Sequence, residues 1–166
     1  QASHTDDVSC QVGRNRCISH QDEIAKYFMA NIDDSRHQRI KQTVMQRPEA
    51  PSDGAVHLWE RLAAELVPII GEGGFQSLHA RSIHLAGKNF PWLLTIHTPA
   101  SAEPRFHELK KALEGRDAME AQAASIALLI TFMDILATLI GDLLTTSILR
   151  SAWGDDVSEI AVKELQ

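Results

Sequence analysis

Aromatic residues are scarce in this chain. They make up 5% of its 166 residues, with a single tyrosine. A β-sandwich draws its core from aromatic and β-branched residues. A core limited mainly to Leu, Ile, Ala and Val points to helices instead. An excess of basic charge is missing as well. Sixteen Lys and Arg stand against 22 Asp and Glu, for a formal net charge of −6. Proteins that bind nucleic acid gain affinity by neutralising phosphates. The overall balance therefore argues against that class.

Cysteines number two, Cys10 and Cys17. The first residues are polar, not an apolar run behind a basic patch. The expectation is a cytoplasmic protein with reduced thiols. Cys10-x6-Cys17-x2-His20 offers three zinc ligands, but at a spacing that matches no standard motif. His79 and His84 are five residues apart, about 140° around a helix, whereas ligand pairs on one helix face stand three or four apart. No metal and no cofactor is expected. Nucleotide motifs are missing too. Gly71-Glu-Gly-Gly74 lacks the Lys-Ser/Thr of a phosphate loop, and there is no G-x-S-x-G elbow. Nothing here marks the chain as an enzyme.

What is present is helical patterning, with apolar residues at 44% and charged residues at 23%. That balance is ordinary for a globular domain. Residues 1–47 read as an N-terminal arm. Ser19-x-x-Asp22 resembles a capping box, and Ile24, Tyr27, Phe28 and Ile32 follow at helical spacing. Arg36, Arg39, Lys41 and Arg47 form a basic run without acids, which reads as a solvated helix face. Residues 48–54, with two prolines and a glycine, read as a linker. Residues 55–166 read as the bundle domain. Its first helix carries Val56, Trp59, Ala63, Leu66 and Ile70. Gly71–Gly74 should break the chain, and Phe75, Leu78 and Ile83 mark a further helix capped by Gly87. Phe106, Leu109 and Leu113 form the stripe of a short helix ending at Gly115.

The dominant feature is a long apolar stretch, about 117–153, read as one central helix. Asp117-x-x-Glu120 opens it and Gly154 closes it. A last short helix follows from about 155. The stretch is long enough to cross a bilayer. Asp134 and Asp142 lie inside it, and each carboxylate would cost roughly 2.5–3.5 kcal/mol at mid-membrane. Thr131, Asp134, Thr138, Asp142 and Thr145 recur at steps of three and four and form one polar seam. The expectation is an all-α helical bundle around this helix, with no membrane span. The seam is either solvent-facing, its threonines bonded back to their own helix, or an interface or pocket with the aspartates paired to arginines.

Functionally, this reads as a regulatory or signalling module of a bacterial cytoplasm. It would act through protein partners or as a homodimer, because short helices leave apolar surface of the long one uncovered. The alternative is a small-ligand-binding bundle whose pocket is lined by Trp59, His79, His84 and Trp92. A third reading starts from Phe106-His-Glu-Leu-Lys110. This run resembles the histidine-bearing box of sensor kinases. The resemblance implies His107 as phosphoacceptor and Glu108 as its neighbouring base. It spans five residues and departs from the pattern at Lys111 and Ala112. Leu58–Leu62, Gly73–Leu78 and Phe90–Leu93 resemble stretches of bacterial helical proteins, and no activity comes with that likeness.

Overall fold

The computed structural model describes residues 34–97 and 104–163, with side chains to residue 154. The readings of Cys10, Cys17, His20 and the Ser19 capping box fall outside these residues. Among the described residues the fold is all-helical, without strands. Helix α1 covers 34–45. Helix α2 spans Pro51–Ala86, and a short 3-10 turn follows at Pro91–Thr95. Helices α3 (His107–Glu114), α4 (Ala118–Ile140) and α5 (Asp142–Lys163) complete the bundle.

α2 begins inside the stretch read as a linker. Pro51 occupies the first turn, where its missing N–H costs nothing and its fixed φ suits the helix. The connection between α1 and α2 is therefore only 46–50. Ile40 of α1 is buried in the same core as Leu58, Leu62 and Leu128 of the body.

Within α2 the backbone leaves the helical region at Gly71, with φ 78° and ψ 163°. The consequence is a reversal. Trp59 and His79 are twenty residues apart, about 30 Å of rise in a straight helix. Their rings instead lie 4.7 Å apart, centroid to centroid. α2 is thus a helical hairpin of two halves, 51–70 and 72–86. The break at Gly71 agrees with the sequence reading, and Gly87 does cap the second half, its N–H donating to the Ile83 carbonyl.

The long apolar helix is present, but it stops earlier than its pattern suggests. α4 ends at Ile140, and Gly141 takes φ 91° and ψ 157°. Asp142 then opens α5, which runs through Gly154 without a cap there and leaves no separate last helix. A lone glycine inside an apolar run costs a helix only about 1 kcal/mol, so periodicity alone did not reveal the break. Asp142, placed where the N-terminus of a new helix favours a carboxylate, is the sequence feature that marks it. At the other end of α4 the capping reading holds. Asp117 accepts from the Met119 N–H at 3.1 Å. Glu120 does not close the box; it accepts from Trp92 Nε1 at 2.9 Å.

α2 is the hub. α5 runs against its first half: Trp153 Nε1 donates to the Leu58 carbonyl, Arg61 Nε donates to the Ala152 carbonyl, and Ser151 Oγ donates to Glu65. The two sequences run in opposite directions along these contacts. The start of α5 therefore lies beside the end of that half, and both glycine breaks fall at one end of the bundle. α3 is tied back to the first turn of α2 by Lys110 Nζ, 2.8 Å from Asp53 Oδ1.

Neither positive-φ glycine has anything within 4 Å of an added Cβ, so strain alone opposes substitution there. Gly141→Ala should lower stability by about 1–3 kcal/mol, the cost of a side chain in this glycine-only region. Gly73→Ala, in open space within helical backbone, should raise it by about 0.5–1 kcal/mol. Thermal melts of both variants test the pair, and equal effects would refute the assignment of strain to Gly141.

Candidate functional site

Two polar constructions stand out: one on the seam, one at the hairpin. On the seam, Arg36 of α1 reaches both aspartates. Its Nη1 donates to Asp142 Oδ1 at 2.9 Å and its Nη2 donates to Asp134 Oδ1 at 3.0 Å. His37 Nε2 lies 2.8 Å from the same Asp134 oxygen. One guanidinium therefore joins the end of α4 to the start of α5 across the Gly141 break. The Arg36 side chain is 2% exposed and those of Asp134 and Asp142 are 44% and 20% exposed. Arg36 is not the solvated residue that the basic run suggests. Its buried charge is balanced by two carboxylates from other helices.

The seam threonines behave differently. Thr131, Thr138 and Thr145 donate their hydroxyls to the carbonyls of Ala127, Asp134 and Gly141, each four residues back. That satisfies each hydroxyl within its own helix or helix junction. Among the described residues the seam acts as a structural joint, with its aspartates paired to an arginine and its threonines bonded to local backbone.

At the hairpin, the reversal brings together five rings. Trp59 packs edge-on against His79 at 4.7 Å and against Phe132 at 5.0 Å. Phe75 stacks on His79 at 6.2 Å, and Phe106 lies 5.6 Å from His79. The spacing explains how one half of α2 supplies two of them: Phe75 and His79 are four apart and share a face. Beside this cluster lies a cavity of about 100 Å³. Phe75, Gln76, His79, Ala80 and Ile83 come from α2, Ile96 and His97 from the segment after the 3-10 turn, and Arg105, Phe106, Glu108 and Leu109 from α3 and its approach.

Burial lowers the pKa of His79 from 6.5 to about 4, so the imidazole is neutral at pH 7. Its Nε2 is buried without a hydrogen-bond partner, and so is Trp59 Nε1. Perpendicular rings set N–H edges against π faces, which returns only part of a hydrogen bond. Buried polar atoms are normally satisfied, so an orphan in a cavity wall points to a missing partner. At the rim, Arg105 Nε donates to Glu72 Oε1 at 3.1 Å, Nη2 of the same arginine pairs with Glu72 Oε2, and Gln76 Nε2 donates to Glu72 Oε1 at 3.0 Å. The Arg105 guanidinium also lies over the Phe75 ring, 5.7 Å from its centroid.

Of the four pocket residues read from sequence, only His79 lines this cavity, with Trp59 directly behind it. His84 is exposed on the same half-helix. Trp92 sits elsewhere, under Arg116, whose Cζ is 5.0 Å from its ring, and bonded to Glu120. The reason is rotation: His84 is five residues from His79 and so points away from it. His107 is exposed on α3, while its neighbour Glu108 faces the cavity. Phe75 and Phe106 were read from sequence as helix-face residues and not as pocket residues, and Arg105 was not singled out. The Phe75–His79 spacing was the available signal; the contribution of α3 was not, because it depends on the turn at Gly71. Among the described residues no group of three or more His, Cys, Asp or Glu is placed to hold a metal ion.

No protein-family model matches this chain, and neither a curated protein nor a solved structure does.

Two outcomes test these assignments. Arg36→Ala should cost about 2 kcal/mol, between the values for exposed and fully buried pairs, while Arg39→Ala on the exposed face should cost under about 0.5 kcal/mol. For His79, the unfolded chain takes up a proton near pH 6.5 and the folded form only near 4. The unfolded state therefore binds more protons in that window, and stability falls as pH drops through it. The loss should be on the order of 2–3 kcal/mol relative to His79→Phe, which has no imidazole to charge. Denaturant melts of both proteins from pH 7 to pH 4 measure the difference; parallel curves would show that His79 is not held neutral by burial.

Proposed function

We propose that this bundle is a small-ligand-binding module, with its site in the cavity beside His79. One observation carries the reading: a neutral imidazole, unpartnered at Nε2, beside a cavity of about 100 Å³ lined by both apolar and polar side chains. Binding sites are typically concave and mostly apolar, with few polar groups fixing orientation. Apolar cavities of roughly 150 Å³ take up a molecule the size of benzene. This cavity is smaller, so a single ring would fill it and reach its rim. The site is built from the second half of α2, the segment after the 3-10 turn and α3 with its approach, so an occupant would tie these elements together. That suits a regulatory role, in which ligand changes the stability of one face of the bundle. α4 contributes Phe132 to the ring cluster, which supports its place as a bundle helix rather than a membrane span.

Single-ring fragments at millimolar concentration should raise the melting temperature of the full chain and shift the His79 imidazole signals in NMR spectra. Ala80→Trp, which fills the cavity from an exposed position, should abolish both effects. Fragments that stabilise Ala80→Trp as well as the parent protein would rule out this cavity.

A second reading, self-association, is favoured by one specific observation. Large apolar side chains remain open at the end where the two breaks lie: Leu143 is 86% exposed, Leu139 64%, Ile69 56% and Leu144 46%. α4, too, has only 39% of its most apolar stretch buried. Concentrated apolar exposure commonly marks a partner surface, and a symmetric dimer is the commonest form. Light scattering should then give a dimer for the parent chain and a monomer for Leu143→Glu. A parent chain that stays monomeric up to 0.1 mM, as an order-of-magnitude ceiling for a specific dimer, would end this reading.

A further inference from the structure

We infer that the cavity beside His79 takes a small primary amine bearing one apolar ring, its ammonium group set against Glu108. This deepens the ligand-binding reading and rests on it. Arg105 and Gln76, two of the polar residues in the wall, are drawn toward Glu72, to which both give hydrogen bonds, and His97 is a further polar residue of the lining. Glu108 lines the cavity, and among the described residues no ion pair or hydrogen bond engages its carboxylate. The Nε2 atom of His79 is buried beside the cavity and has no partner. An open carboxylate in the wall favours a ligand that donates.

An alkylammonium supplies three N–H donors and a positive charge in one group. The charge suits the surroundings. Arg105 is neutralised by Glu72, which leaves Glu108 as the uncompensated formal charge among the residues lining the cavity. The faces of Phe75 and Phe106 add favourable quadrupole interaction with a cation; the position of the Arg105 guanidinium over Phe75 shows that this ring already accepts one. Ile83, Ile96 and Leu109 are the aliphatic part of the lining available to the ring of the ligand. A carboxylate ligand of the same size would meet the like charge of Glu108.

Calorimetric titration of the full chain at pH 7 with 2-phenylethylamine, 2-phenylethanol and phenylacetate tests this, since the three share a ring and differ in the head group. The amine should bind about fivefold more tightly than the alcohol, the scale of one partly exposed ion pair, and the acid should bind weakest. Glu108→Gln should bring the amine down to the affinity of the alcohol and leave the alcohol unchanged. Glu114→Gln, on the same helix but outside the cavity lining, should preserve the order. An acid that binds as well as the amine would overturn the inference, as would an amine advantage that survives Glu108→Gln. If the alcohol binds but the amine holds no advantage, the amine inference alone fails. If none of the three binds, the cavity reading fails and this inference with it.

Discussion

The reversal at Gly71 is the constraint on which the candidate site depends. With φ at 78° and ψ at 163°, this residue directs the second half of α2 back along the first. Only then can Trp59 and His79, distant along a straight helix, pack edge to face. Phe75 and Phe106 join them, and the cavity forms where this ring cluster meets α3. Glu72, the residue after the turn, also anchors Arg105. A single backbone conformation thus places the rings, the buried imidazole and the rim. The same type of conformation recurs at Gly141, where it separates α4 from α5. There the junction is spanned by a charge pair instead of a ring cluster.

That junction shows how burial of charge can specify geometry. A guanidinium as enclosed as that of Arg36 would be strongly unfavourable without partners. It has two, and they lie on different helices. Satisfying both at 2.9–3.0 Å requires α1, the end of α4 and the start of α5 to hold one arrangement. The net stabilisation from such a cluster is modest, because desolvation offsets most of the Coulomb attraction. Its larger effect is on specificity: an arrangement that separates Arg36 from either aspartate leaves a buried charge unmet.

Much of this was legible in the sequence, and the parts that were not share a cause. The helix pattern, the break at Gly71–Gly74, the Asp117 cap and the short helix ending at Gly115 all rest on local rules, and each is present. The polar seam was visible as a stripe; its threonines bond to local backbone and its aspartates pair with an arginine. The partner itself was hidden. Arg36 sits 98 residues from Asp134 in the chain, and its neighbours Arg39 and Lys41 are exposed as a solvated face should be. Gly141 was underread because one glycine weighs little against a long apolar run. Trp92 and His84 were grouped with His79 by residue type, and helix rotation and the 3-10 turn send them elsewhere.

The chemistry of His79 follows from the same apolar palette that defines the fold. With few aromatics available, the chain gathers Trp59, Phe75 and Phe106 around one imidazole and packs Phe132 against Trp59 and Phe75. Their low polarity disfavours the charged form and keeps the ring neutral at physiological pH. A leucine or phenylalanine in that place would fill the space without leaving a polar atom unsatisfied. Retaining histidine there costs stability unless something supplies its missing hydrogen bond. Water can serve only where a cavity offers it further polar partners. Glu108, in the wall of the adjoining cavity, is the other polar group of this region without a partner among the described residues, so the stability cost of His79 and the open carboxylate of Glu108 are two features that packing alone does not explain.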